Sequence, residues 1–480
     1  MRRLRLVLAL VCCVGALPLQ LRAQDPSRSP VLLIQHVNII DVRAGKILPD
    51  QNVLIEGGRI VHEGPWVPTK PTPDAKVVSG RSQYLIPGLW DMHVHAAWPG
   101  IDGIFAPLFV ANGVTGVREM FGDMAVVRAW KKRYETGEPW PRMVAAGHIL
   151  DGPNPIWPGS TVANNAEEAR KAVDSLHQAG ADFIKVYNRL PHDAYVAAID
   201  EAKRLGTYVA GHVPDAVSVA EASDLGQRSI EHLTGVALEC SSEADSLRAE
   251  RSAATGDPAA KLKAYLRQAD RILATQDAAR CSDLFARLAR NQTWQVPTLT
   301  VLRSMASMND PHFTADPRLR YMPEEVRTSW DWRNDFRFRD RTEEDWAVGR
   351  RMNRRAVTIV GAMNRAGVPM LAGTDVLNPF TFPGFSLHDE LALLVEAGLS
   401  NAEALRAATL NPAIFLHEED SAGTVEAGKR ADLVLLDANP LKDIHNTRRV
   451  RAVILNGRTY DRAALDSLIE KAERAANPPR

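Results

Sequence analysis

The sequence has no net charge, with 58 basic against 58 acidic residues in 480, and no dense basic block. Clustered Lys and Arg are what grip a phosphate backbone, so nucleic acid is not an expected partner. Cysteine is scarce, four residues without a C-x-x-C pair, which removes cysteine-based metal binding and dithiol redox chemistry. No glycine-rich fingerprint follows the first strand of the long middle region, which argues against dinucleotide binding. Long apolar runs are missing as well. The stretch at residues 6–17 is too short to span a bilayer, so stable membrane insertion is not expected.

That stretch has another use. Arg2, Arg3 and Arg5 precede it, Pro18 ends it, and Leu21-Arg22-Ala23 follows. This is the layout of a secretory signal peptide over residues 1–23, implying export to the periplasm or beyond. A lipoprotein signal fits less well, because neither Val11 nor Cys12 is the small residue needed before a lipidated cysteine. Removal of the signal leaves 54 basic and 58 acidic residues, a net charge of −4. Two cysteines remain, Cys240 and Cys281, either as one disulfide closing a long loop or as two separate thiols.

What is present is an ordinary globular balance, 45% hydrophobic and 24% charged, in a chain long enough for a large domain plus a smaller one. Residues 31–85 alternate in strand fashion around Gly57-Gly58, and the pattern returns in ADLVLLDANP and AVILNGRTYD. A small β-sandwich built from both chain ends, residues 31–85 and 419–465, is the expectation. Between them, residues 86–418 alternate strand-like and helical runs. Strand candidates lie at 89–95, 113–119, 143–149, 182–188, 208–213, 229–233, 295–301 and 370–375, with helices such as 165–179, 192–205 and 402–408. Eight such units predict an α/β fold of the (β/α)8 TIM-barrel kind. The long connections 234–294 and 302–369 would emerge at the C-terminal face of such a barrel. The second, with Trp330, Trp332, Phe336, Phe338 and Trp346, reads either as a helical cap or as a plain surface helix pair.

Potential metal ligands recur along these strands: His93 and His95, Lys185, His212, His232 and Asp375. Residues two apart share a strand face, so Asp91, His93 and His95 point the same way, Asp91 as a buttress. Lys185 sits inside an apolar strand, where an unpaired ammonium is expensive to bury. It is either salt-bridged or snorkelling, or it is carboxylated on its ε-amine; with the histidines present the carbamate is favoured. Arg118, His148, Tyr187 and His388 are candidate substrate contacts by position alone, and Arg118 could equally pair with a neighbouring acid.

Taken together, IPGLWDMHVH, DFIKVY, AGHV, IEHL, AGTD and the tail GTVEAGKRADLVLLDANP resemble the amidohydrolase superfamily, in its imidazolonepropionase-like and prolidase-like branch. The resemblance covers residues 31 to about 465. It implies two divalent ions, most readily Zn2+, with His93, His95 and Asp375 on one and His212 and His232 on the other. Carboxylated Lys185 and a hydroxide would bridge them, and Asp375 would shuttle the proton. The implied activity is hydrolysis of a C–N bond in an amide, dipeptide or N-acyl amino acid. A lactone or organophosphate hydrolase using the same site, and a non-catalytic binding homologue, are the alternatives. Val213-Pro214-Asp215 stands where deaminases of the superfamily place a glutamate, and Tyr187-Asn188-Arg189-Leu190-Pro191 replaces a glycine-containing loop. Oligomeric state, a homo-oligomer included, is left open.

Overall fold

The computed structural model describes residues 31–66, 75–253 and 258–479. The signal-peptide reading of residues 1–23 lies outside them. Leu32–Asp41 pairs antiparallel with Lys46–Glu56, which turns back into Arg59–Gly64. The turn is Gly57-Gly58, with φ of 57° and 75°. Positive φ at both central positions suits the right-handed twist of a hairpin, and glycine adopts it without a Cβ clash. From the other end of the chain, Leu433–Leu436, Val450–Leu455 and Arg458–Asp461 join through Tyr84–Pro87. Leu32, Ile34 and Ile55 meet Leu433, Leu435 and Ile454 in one apolar cluster. Both ends therefore build one unit, as expected. Its form differs from the expected sandwich, because hydrogen bonds connect all eight strands into a single sheet. The reason lies in Leu32–Asp41. It breaks register around His36 (φ 58°) and changes partner from Lys76–Ser79 to Tyr84–Pro87.

The middle of the chain alternates strands and helices. Leu89–Val94, Val114–Glu119 and Arg142–Ala145 form one parallel sheet. Thr161–Val162, Leu150–Asp151, Ile184–Val186, Val209–Gly211, Ser229–Glu231 and Trp294–Val296 form another. Helices return on the outside with the expected apolar spacing. Ala166–Gln178 buries Ala169, Ala172, Val173 and Leu176, and Asn165 caps its first turn through the Glu168 N–H. Two sequence expectations shift. The strand expected at 295–301 stops at Val296, and the helix Leu299–Ala306 starts after Thr298 (φ 49°). The segment at 370–375 is bridged rather than a full strand, Met370 to Gln295 and Val376 to Val94. Backbone bonds still connect the pieces. Asp182 N donates to Ala145 O (2.8 Å), Leu371 N to Gln295 O (2.9 Å), Met92 N to Ala372 O (2.9 Å) and Asp375 N to His93 O (2.7 Å).

Both long connections are helical. In the second, Trp330, Phe338 and Trp346 are buried. Trp330 Nε1 donates to Leu377 O at 3.0 Å, and Arg337 Nη1 to Asn378 Oδ1 at 3.1 Å. The segment thus rests on the loop that follows Asp375, as a cap would. In the first connection, Cys240 and Cys281 form a disulfide with Cα atoms 4.7 Å apart, closing a span of 41 residues. A cross-link over a loop of that length restrains the unfolded chain. Replacing both cysteines with serine should lower stability by about 2–4 kcal/mol. Urea denaturation checks this, and an unchanged midpoint would show the bond to be dispensable.

Candidate metal centre

Strand alternation turns Asp91, His93 and the following His95 to one side, and all three meet Asp375 or its neighbours. His93 Nε2 lies 3.3 Å and His95 Nε2 2.9 Å from Asp375 Oδ1, and His232 Nε2 lies 3.8 Å from Oδ2. His93, His232 and Asp375 each offer an atom within 4.8 Å of the others. The His212 ring stands 5.0 Å from that of His232, and Lys185 Nζ is 3.3 Å from His93 Nε2. Six residues from five separate segments therefore share one buried place. Burial first, then the neighbouring cations, holds His93 and His212 well below the usual imidazole range. Burial likewise takes His232 down to about 4 and the Lys185 amine down to about 8. Neutral imidazoles keep a lone pair to offer.

Where those lone pairs point is fixed from behind. His93 Nδ1 donates to Glu231 Oε2 (2.7 Å) and His212 Nδ1 to Asn188 Oδ1 (2.6 Å). His232 Nδ1 donates to Thr298 Oγ1 (2.6 Å), whose own proton goes to Pro297 O at 2.8 Å. An acceptor on Nδ1 leaves Nε2 unprotonated and facing the centre. Three buried atoms there have no hydrogen-bond partner, His95 Nδ1, His212 Nε2 and Asp375 Oδ1. The last is close to His95 Nε2 (2.9 Å) but off hydrogen-bond geometry. Buried orphan acceptors are uncommon and call for an explanation. Imidazole nitrogens and a carboxylate suit a first-row divalent cation, so the residues fit such an ion.

Three further carboxylates hold the backbone around the centre, and burial raises each above its ordinary range. Asp91, pushed up to about 8, accepts from Thr374 N (3.0 Å), Thr374 Oγ1 (2.6 Å) and His93 N (3.3 Å). Glu119, at about 7, accepts from Ala96 N (2.6 Å), Ala97 N (2.9 Å) and Phe121 N (3.1 Å). Glu390, also about 7, accepts from Leu299 N, Thr300 N and Thr300 Oγ1, all at 3.0 Å or less. His232 (φ 57°) and Asp375 (φ 63°) occupy left-handed backbone, strain that such anchoring sustains. Sequence reasoning missed Glu119, Asn188, Glu231, Thr298 and Glu390. For Glu119 and Glu231 a signal existed, an acid at the end of an apolar strand; Glu390 on its helix offered none.

Residues 271–460 match the model of the amidohydrolase family. They are an amidohydrolase-family domain. The chain is 25% identical over 198 residues to adenine deaminase 1 of Latilactobacillus sakei, covering 40% of this chain and 32% of that one. It is 41% identical over 73 residues to imidazolonepropionase of Caldanaerobacter subterraneus, covering 15% of this chain and 17% of the relative. The chain thus spans a third or less of the length of these curated relatives. A structure titled bottromycin amidohydrolase superposes with a TM-score of 0.74 at 25% identity, covering 94% of this chain and 92% of that one. A Xaa-Pro dipeptidase superposes at 0.66 with 20% identity, covering 90% and 100% respectively, and so speaks for the fold alone.

Two of the four candidate substrate contacts lie away from this centre. Arg118 is wholly buried beneath it. Its Nη2 pairs with Glu231 Oε1 (2.7 Å), Nη1 donates to Ser229 Oγ (2.9 Å) and Nε to Met92 O (2.8 Å), so no donor edge is left for a substrate. His388 is buried too, between Thr447 Oγ1 and Asn112 O, each at 3.0 Å. Tyr187 does adjoin the centre, its ring stacked 4.0 Å from that of His212. His148 is half-buried with its ring edge-on to Phe121 at 6.3 Å.

Two predictions follow from these placements. Arg118→Met strands the buried Glu231 charge and should cost about 3–5 kcal/mol of stability. Thermal unfolding tests it, and a normal melting point with a raised KM would restore a substrate role. Burial first, then the Arg448 charge, lowers the His388 pKa from its ordinary 6.5 to about 4. Between those values the unfolded chain takes a proton that the folded one refuses. Stability should therefore fall as pH drops from 6.5 to 4, by about 3 kcal/mol from this group. In His388→Gln that part of the slope should vanish, and an identical slope would show that another group carries it.

Proposed function

We propose that the protein is a metal-dependent amidohydrolase that hydrolyses a C–N bond of the amide type, acting on a small-molecule substrate. The observation that carries the reading is the convergence of the neutral His93 and His232 lone pairs, each fixed through Nδ1, on the buried Asp375 carboxylate, with the His212 ring beside that of His232. His93, His95 and Asp375 would hold one divalent ion, His212 and His232 a second, and Lys185 would bridge them as its carbamate. Zinc suits the donor set. The ions would supply the charge that lowers the pKa of a bound water and polarises the substrate carbonyl.

Lys185 would first lose its ammonium proton, then add carbon dioxide at the neutral Nζ and release a second proton, so that a buried cation becomes an anionic carbamate. Burial pushes the Asp375 pKa up, but His232 and His95 outweigh it and keep the carboxyl below its ordinary range. Asp375 is thus an anion able to accept the proton of the attacking water. It then returns that proton to the leaving nitrogen as the C–N bond breaks. Seven of the parallel strands, with the short Leu150–Asp151 and Thr161–Val162 set aside, and the 370–375 segment are read as the eight staves of a (β/α)8 barrel over residues 86–418, with the site at their C-terminal ends. Residues 31–85 and 419–465 form the second domain, and export through residues 1–23 belongs to the same reading.

Elemental analysis of protein purified without chelators should find about two ions per chain, and chelation should abolish amide hydrolysis until metal is returned. Lys185→Ala should lose most activity and part of the metal, and bicarbonate should not restore either. One ion per chain with an active Lys185→Ala would overturn the bridged site. Turnover of lactones or phosphotriesters without amides would overturn the reaction class.

A further inference from the structure

Arginine side chains in this protein show a recurring habit. In Arg318, Arg333 and Arg337, Nε and Nη2 together grip the carboxylate of the aspartate two residues earlier. The bonds are 3.0 and 2.7 Å to Asp316, 2.8 and 2.6 Å to Asp331, and 3.1 and 2.7 Å to Asp335. This side-on edge of the guanidinium matches a carboxylate in a bidentate pair. Arg189 breaks the habit. Its Nε and Nη2 are both buried and neither meets an acceptor, and among the described residues no other arginine has both atoms in that state. Two adjacent buried donors without a partner are costly, and a site built to bond a ligand oxyanion is where such a cost is expected.

The position of Arg189 gives that edge a meaning. Tyr187 stacks on His212, and Asn188 accepts from His212 Nδ1 at 2.6 Å. Arg189 is the next residue, about 3.8 Å of backbone further on. Its own N–H is pinned to Asp151 Oδ1 at 2.7 Å, and Nη1 donates to Asn154 O. Asn154 belongs to the loop that carries Trp157, whose Nε1 donates to Tyr187 OH at 2.9 Å. Backbone and Nη1 are therefore fixed from two sides beside the metal centre, while the Nε–Nη2 edge stays unsatisfied. Arg337, whose guanidinium lies 5.4 Å from the Trp157 ring, already spends that edge on Asp335.

We propose that Arg189 is a specificity-determining residue, and that its Nε–Nη2 edge takes the free carboxylate on the leaving-group side of the substrate. The preferred substrates are then amides whose leaving amine is an amino acid, as in an N-acyl amino acid or a dipeptide. Amides with a neutral leaving amine would leave the two donors unpaired. For its substrate the inference rests on the amide-hydrolase reading above.

The test compares N-acetyl amino acids with their matched carboxamides, using the full metal-loaded chain. The acids should be preferred by roughly 100-fold in kcat/KM, mostly through KM, because an unpaired buried donor discriminates strongly. Arg189→Met should reduce that ratio to within a few-fold of one, and Arg189→Lys, with charge but no fork, should recover only part of it. The thermal midpoint of Arg189→Met should fall by no more than loss of the single Nη1 bond to Asn154 O causes, since the Nε–Nη2 edge bonds nothing. Titration calorimetry of the same acid and carboxamide pairs reads binding without turnover. If no amide is hydrolysed, the functional reading fails, and a calorimetric acid preference that disappears in Arg189→Met still upholds the Arg189 assignment. An acid to carboxamide ratio unmoved by Arg189→Met, in turnover or in binding, overturns it.

Discussion

The buried pair of Arg118 and Glu231 is the interaction on which the rest of the centre depends. Both side chains are wholly sequestered from solvent, 2.7 Å apart. Stripping water from two charges costs several kcal/mol per ion, so such a pair persists only when every remaining donor and acceptor is used. Here they are. Glu231 Oε1 also accepts from Ser229 Oγ at 2.6 Å, and Oε2 accepts from His93 Nδ1. The guanidinium also lies over the Phe183 and Phe415 rings, 5.5 and 5.0 Å from their centroids. One ion pair thereby ties Met92 on the first strand, Arg118 on the second and Ser229 on a third, and it sets the tautomer of His93 as a by-product.

That tautomer matters because of what sits above it. With Nδ1 protonated on His93, His212 and His232, each ring turns a lone pair inward, and burial keeps the rings neutral so that the lone pairs survive. Four imidazoles close together repel a proton but welcome a multivalent cation. The same low-dielectric enclosure that depresses the imidazoles depresses Lys185, and a neutral amine is the form that can react with carbon dioxide. Desolvation therefore acts on His93, His212, His232 and Lys185 in the direction that metal binding needs.

How far this was legible in the sequence depended on the range of the signal. Period-two alternation made His93 and His95 partners of one face, and apolar strand runs located Lys185, His212, His232 and Asp375. The structure gathers all six. The acid after Arg118 was visible as a rival explanation for it, yet the true partner is Glu231, 113 residues away, and no local pattern reports such a distance. His388 misled for a similar reason, since its partners Thr447 and Asn112 are 59 and 276 residues off. The sheet from both chain ends was readable because alternation is local. That its strands join in a single sheet was not, because this turns on one backbone kink at His36.

The three clamping carboxylates suggest why the site holds its shape where the chain leaves its strands. Asp91, Glu119 and Glu390 each accept from two or three donors, chiefly backbone N–H groups, on the segments 91–97, 119–121, 298–300 and 374. A helix or strand would satisfy those amides with carbonyls, but these segments are leaving their strands, and His232, Thr298 and Asp375 sit in left-handed backbone that regular structure cannot supply. An acidic side chain satisfies several such amides from one anchoring point and fixes the direction in which the chain departs. Burial favours the neutral form of each, and the hydrogen bonds from backbone N–H groups favour the charged one. The direction of the neighbouring ligands therefore depends on these side chains, and weakening any one of them disturbs it.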